Sequence, residues 1–184
     1  MEFRLYYRGP LKSNGNVKHK HAIREQIHSQ LKQLWHQKPL SDLKDKLLSG
    51  QHELGCIRPL EGFVFAPLVQ GRIDLVADID ITMLRPEEPG AIVTQAGDID
   101  NRLKTLFDAL RMPQKRGEIP SECTPENTDS PFFCLLEDDN LISALKVTTD
   151  RLLDATSSPS EVVLILHVHT KVTRATMLNL GLGI

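Results

Sequence analysis

An α+β fold is what this sequence predicts: a single small domain with a mixed β-sheet packed against helices. Three observations carry that expectation. Residues 72–84 alternate apolar and polar side chains in the manner of a strand, with Ile73, Leu75, Ala77, Ile79, Ile81 and Met83 on one face. Two other stretches space their apolar residues as helices do. The order of the elements lacks the regular strand–helix alternation of a parallel α/β protein. A chain of 184 residues suits one domain, 1–184, and is cramped for two.

Taken in order, residues 3–7 read as a short strand, closed by Gly9-Pro10 and the turn cluster Ser13-Asn14-Gly15-Asn16. A helix follows over about 18–37, with Ile23, Ile27, Leu31, Leu34 and Trp35 on its apolar face and Arg24, His28, Gln30 and Lys32 on the other. Pro39 ends it, and Ser41 is placed to cap a shorter helix over 42–48. Glycines and prolines punctuate 49–70, where only 62–66 reads as a strand. After the alternating strand comes the clearest helix, 100–112, striped by Leu103, Leu106, Phe107 and Leu110. Residues 113–131 are rich in Pro, Glu, Ser and Thr and lack periodicity, which predicts a long mobile loop at about 112–137. Two strands, 141–148 and 161–170, close the fold, and the apolar tail 177–184 packs on the core or on a partner.

Composition narrows the function. No apolar run approaches the ~20 residues of a membrane helix, and residues 1–30 hold no signal-peptide block, so a cytoplasmic protein without a membrane partner is expected. Three unpaired-looking cysteines, Cys56, Cys123 and Cys134, fit free thiols in a reducing compartment. The net charge of −2 hides a polarity. Residues 1–46 carry ten Lys and Arg against four Asp and Glu, whereas the remainder carries twelve against twenty. Such a split fits a basic surface for a polyanion beside an acidic group with another task, although solvated faces give the same sums.

The acidic group is densest at 97–110. Asp98 and Asp100 stand two apart immediately before a helix, and Asn101, Lys104 and Asp108 share the helix face opposite the apolar stripe. Asp138 and Asp139 immediately precede the strand beginning near 141. Hard divalent cations take carboxylate oxygens, so Asp98, Asp100 and one of Asp138 and Asp139 suffice for Mg²⁺. A lysine alongside can offset charge building on a transferring phosphate. The same spacing is equally served by Asp100 as a helix cap and by Lys104 and Asp108 as a surface i,i+4 pair.

At these residues the chain resembles the RusA family of Holliday-junction resolvases. The pattern D-x-D-N-x-x-K-x-x-x-D-A-L matches at Asp98 to Leu110, and the family's D-D pair before a strand matches at Asp138-Asp139. The element order agrees along most of the chain, although the link 111–137 is longer than the family's. The resemblance implies a homodimeric, Mg²⁺-dependent endonuclease acting on branched double-stranded DNA, with Mn²⁺ as an alternative metal, of bacterial, phage or mobile-element origin. It places the metal-binding acids at Asp98, Asp100 and Asp139 and the catalytic lysine at Lys104. Asn101, Asp108 and Asp138 are assigned supporting roles, with Asp108 fixing Lys104.

Phosphate contact is expected from the basic first third, through Lys18, Lys20 and Arg24, with Arg102 on the motif helix. A second reading keeps the fold as a non-catalytic junction- or DNA-binding protein. A third, a small-molecule metal-dependent hydrolase, draws on His167 and His169, which share a strand face. No third ligand stands near them in sequence, so core or solvent-edge histidines are the better expectation. Asp74, Asp78 and Asp80 are read as one wet sheet face, and Cys123 has no assignable base.

Overall fold

The structure is a computed structural model that describes residues 1–49, 55–86, 99–154, 160–177 and 179–183. Among these residues, seven strands and three α-helices form the α+β architecture. The strands are β1 (Glu2–Pro10), β2 (Arg58–Leu60), β3 (Phe63–Val69), β4 (Leu75–Arg85), β5 (Phe132–Leu136), β6 (Ile142–Arg151) and β7 (Glu161–Val172). The helices are α1 (Val17–Leu34), α2 (Leu40–Leu47) and α3 (Ile99–Leu110). The larger sheet has the order β1-β7-β4-β6, antiparallel except for the parallel β4–β6 pair. A smaller sheet, β2-β3-β5, joins an antiparallel hairpin to a parallel strand.

Alternation along β4 does what the sequence predicts: every odd residue from Leu75 to Arg85 is buried. Its apolar face, with Leu5 and Tyr7 of β1 and Leu164, Leu166 and Val168 of β7, belongs to one core that α1 and α3 cover. The other face of the sheet stays in water, which an antiparallel arrangement tolerates. Asp78 and Asp80 lie on that wet face as expected. Asp74 does not, because it ends a 3₁₀ turn in the left-handed region, at φ 51°, before β4 begins.

Helix α1 starts where Asn16, in extended conformation, accepts the His19 amide at 2.9 Å. Its buried face is wider than the apolar stripe, taking in Arg24 and His28, which the sequence places on the polar side. The helix has β1, β5 and α3 as neighbours, so side chains at the stripe's edge are also covered. Arg24 and His28 each have specific partners, although Arg24 Nη1 has none among the described residues. Arg24 donates from Nη2 to the Asp108 carbonyl at 2.8 Å and from Nε to the Arg111 carbonyl at 3.3 Å, closing the end of α3. His28 Nδ1 accepts the Phe133 amide at 2.8 Å, which leaves the proton on Nε2 for Asp129, 3.0 Å away.

Ser41 is not a cap, for α2 begins one residue earlier, behind Pro39, without a side-chain capping bond. On α3 the buried residues are Arg102, Thr105, Leu106, Ala109 and Leu110, while Leu103 and Phe107 are only half-buried. The buried face is thus turned from the expected stripe. The turn before α1 draws it round: the Gly15 amide donates to Thr105 Oγ1 at 3.0 Å, and a Cβ at Gly15 would stand 2.7 Å from the Thr105 methyl. In the β2–β3 hairpin, Glu61 and Gly62 both take positive φ, the geometry that a two-residue turn requires.

The expected loop at 112–137 is corrected in two ways. Its last part is β5, five successive buried residues paired parallel to β3. The rest has only 3₁₀ turns but is fastened rather than free. Arg116 donates to the carbonyls of Ile119 at 2.9 Å, Pro120 at 3.3 Å and Cys123 at 3.1 Å, and lies over the Phe63 ring. Asp129 binds Lys32 at 2.6 Å besides His28, tying the segment to α1. In the tail, Asn179 and Leu182 are buried and Met177 is exposed. No helix among the described residues is long and apolar enough to cross a membrane.

Candidate active site on helix α3

Asp100 enters the first turn of α3 with its side chain exposed, and Lys104 follows one turn later, also exposed. Asn101 and Asp108, on the same side, are half-buried. Asp98 lies outside the described residues. The turn Asp139–Leu141 packs against α3 and β4, and β6 starts directly after it, opposite Ala77. Within this turn the two neighbouring acids differ. Asp138 is the cap, accepting the Asn140 amide at 3.0 Å, whereas Asp139 is exposed. Asp138 thus holds the turn through one of its oxygens, whereas the Asp139 carboxylate makes no capping bond. The donor set of Asp100 and Asp139 is oxygen only, which suits a hard cation such as Mg²⁺. Asp100, Asp138 and Asp139 do not converge by themselves into a three-ligand cluster among the described residues.

Asp108 does not fix Lys104. Its Oδ2 meets Lys20 Nζ at 2.7 Å and its Oδ1 meets Arg111 Nη2 at 3.2 Å, while Arg111 also reaches Glu118 at 2.9 Å. Burial acts to raise the Asp108 carboxyl, but Lys20 and Arg111 outweigh it and hold the group below the usual carboxylate range. No ion pair among the described residues engages Lys104, so its charge faces solvent beside Asp100.

The expected DNA contacts divide. Lys18 is well exposed, with a 2.8 Å ion pair to Glu122, and Lys20 is half-buried against Asp108. Arg24 and Arg102 are 2% and 5% exposed and have no surface to offer a phosphate, which corrects both assignments. Arg24 is instead bound to the Asp108 and Arg111 carbonyls at the end of α3, which sequence periodicity at a helix edge does not reveal. Between α1 and the end of α3 lies a cavity of about 260 Å³ lined by Lys20, Arg24, Arg111 and Lys115 against Asp108 and Glu118. Its balance is cationic, and Lys115 at its edge is exposed.

Two arrangements were missed in the sequence. Cys123 Sγ lies 3.4 Å from His21 Nε2, a pairing made across 102 positions of the chain. Burial raises the thiol and depresses the imidazole, which favours the neutral form of both. Cys56 and Cys134 are buried and pushed up to about 12. The second is a carboxylate beside the two strand histidines: Glu2 Oε1 is 2.5 Å from His167 Nε2. Comparison with protein-family models, with curated proteins and with solved structures finds no match to this chain.

Proposed function

We propose that the protein is a metal-dependent, structure-selective endonuclease that hydrolyses phosphodiester bonds in branched double-stranded DNA, of the Holliday-junction resolvase type. The observation that carries the reading is the exposed pair Asp100 and Lys104 on α3, with the turn bearing the exposed Asp139 packed against that helix. Asp98, two residues before Asp100, completes the acid set in this reading. Asp98, Asp100 and Asp139 would hold Mg²⁺, or Mn²⁺ in its place, and the bound cation would supply Lewis acidity toward the phosphate and toward an attacking water. Lys104 offsets the negative charge that grows on the phosphate oxygens, a contribution made in the transition state more than in binding. Lys18, Lys20 and the exposed Lys115 carry the DNA backbone past the helix, with Asn101 orienting a ligand near Asp100.

The protein acts as a homodimer in this account, since a four-way junction presents two symmetric strands and one active site per subunit serves each. A cytoplasmic setting accords with three free thiols. Synthetic four-way, three-way, flap and linear DNAs, incubated with Mg²⁺ or with chelator, test the proposal. Metal-dependent cutting confined to branched substrates supports it. Branch-selective binding without cutting would leave a DNA-binding protein on the same fold.

A further inference from the structure

We propose that Glu2, His167 and His169 form a binding site for a divalent transition metal of the zinc class on the outer face of the larger sheet. The register assembles it. β1 and β7 pair antiparallel with Glu2 opposite His169 and Arg4 opposite His167, so residues at the two ends of the chain share one sheet face. His167 and His169 stand two apart on β7 and project from the same side, with ring centroids 4.1 Å apart. Glu2 reaches both, with Oε1 2.5 Å from His167 Nε2 and Oε2 3.8 Å from His169 Nδ1. The three potential ligand atoms all lie within 4.8 Å of one another, and among the described residues no other His, Cys, Asp and Glu side chains converge so closely.

The chemistry selects the metal. Two imidazole nitrogens and one carboxylate oxygen are a donor set for zinc and its neighbours, while Mg²⁺ prefers oxygens alone. Zn–N and Zn–O bonds of about 2.0–2.2 Å place tetrahedral ligand atoms roughly 3.3 Å apart, so small side-chain rotations close the site. Three protein ligands leave a fourth position for water or an exogenous group, and the half-exposed histidines keep that position open.

The surroundings hold the ligands and balance a cation. The strand carrying Glu2 is pinned at its start, where the Thr170 amide donates to the Met1 carbonyl at 2.9 Å. Arg4, 3.9 Å from Glu2 Oε1, is an exposed cation beside the same carboxylate. On β4, Asp78 and Asp80 stand opposite His169 and His167, adding negative charge beside the site. Asp78 is itself bonded to Ser143 and Lys171. The site is on the sheet face away from α1 and α3, so it stands independently of the proposed nuclease centre.

The test is metal binding, not cleavage. Full-length protein free of any affinity tag is stripped with chelator and titrated with Zn²⁺ by calorimetry and with Co²⁺ by visible absorption. The expected result is one saturable equivalent, an absorption intensity typical of four-coordinate cobalt, and no competition from millimolar Mg²⁺. His167→Ala and His169→Ala should each weaken binding by about 100-fold and Glu2→Gln by roughly 10-fold, given the strength of single ligand and outer-sphere contributions. These side chains sit on a solvated face, so circular dichroism should stay unchanged. His36→Ala, an exposed histidine elsewhere, should leave binding as it is. Absence of a saturable equivalent in the wild-type protein overturns the proposal, as does full binding retained in His167→Ala or His169→Ala.

Discussion

The carboxylates on α3 and the histidine–glutamate group on the outer sheet are built in opposite ways. The first is written in one short stretch, with Asp100 and Lys104 a helical turn apart, and adds Asp139 through the packing of a turn against α3. The second joins Glu2 to His167 across 165 positions, and only strand register brings them together. Their donors differ as well: oxygens alone on the helix, imidazoles and one oxygen on the sheet. Local spacing therefore advertises the proposed hard-metal site, and topology alone creates the proposed softer one.

Substitutions can break that comparison, and the largest effects belong to the acids. Asp139→Asn should reduce Mg²⁺-dependent cutting by about 10³-fold or more while junction binding persists, because a metal ligand is lost and phosphate repulsion falls. Asp138→Asn, which keeps an acceptor for the Asn140 amide, should cost far less, and equal losses would mean the two acids are not distinguished as described. Lys104→Ala should slow single-turnover cleavage by about 10²-fold with little change in binding, measured by rapid quench and gel shift. In none of these three variants should the proposed zinc binding on the sheet change. Coupled loss of both would merge the two sites into one.

Smaller effects sharpen the picture of α1. Arg24→Ala removes two hydrogen bonds to the end of α3 and should lower stability by roughly 3 kcal/mol in urea unfolding, with weaker DNA binding only in proportion to unfolding. A specific loss of affinity in fully folded protein would return Arg24 to the binding face. Lys18→Ala should flatten the plot of log affinity against log salt by up to about 0.9 for one phosphate contact. Acid stability gives the smallest effect. The Asp108 carboxyl is held below its ordinary value, so its contribution is complete above about pH 4 and fades as pH falls through the lowered value. Asp108→Asn should remove that part of the acid limb in thermal melts between pH 2 and 6.

Much of the fold was legible because its periodicities are strong. β4 alternates, β7 carries the apolar run 162–166, and α1 shows its apolar residues at helical spacing. β5 escaped notice although Phe132-Phe133-Cys134-Leu135-Leu136 is a continuous apolar run, because a strand buried on both faces lacks alternation and this one ends an aperiodic segment. The turn of α3 about its axis was not legible either, since Thr105 is buried through a contact with Gly15, 90 positions away. The burial of Arg24 and His28 follows the same rule. A polar residue at the margin of a helical stripe goes inside when a specific hydrogen-bond partner waits there, and these partners, the carbonyls at the end of α3 and the Phe133 amide, belong to other elements. Of the proposed site, the α3 spacing and the Asp138-Asp139 pair were readable. Which of those two acids caps the 3₁₀ turn was not, because that depends on the local backbone geometry.

Single-turnover cleavage of a synthetic four-way junction, compared between wild-type protein and Asp100→Asn at equal amounts of bound DNA, bears most directly on the central claim. The account predicts paired nicks near the branch with Mg²⁺, none with chelator, and a loss of about 10³-fold or more in the variant. Cutting that survives removal of either the metal or the Asp100 carboxylate would contradict it.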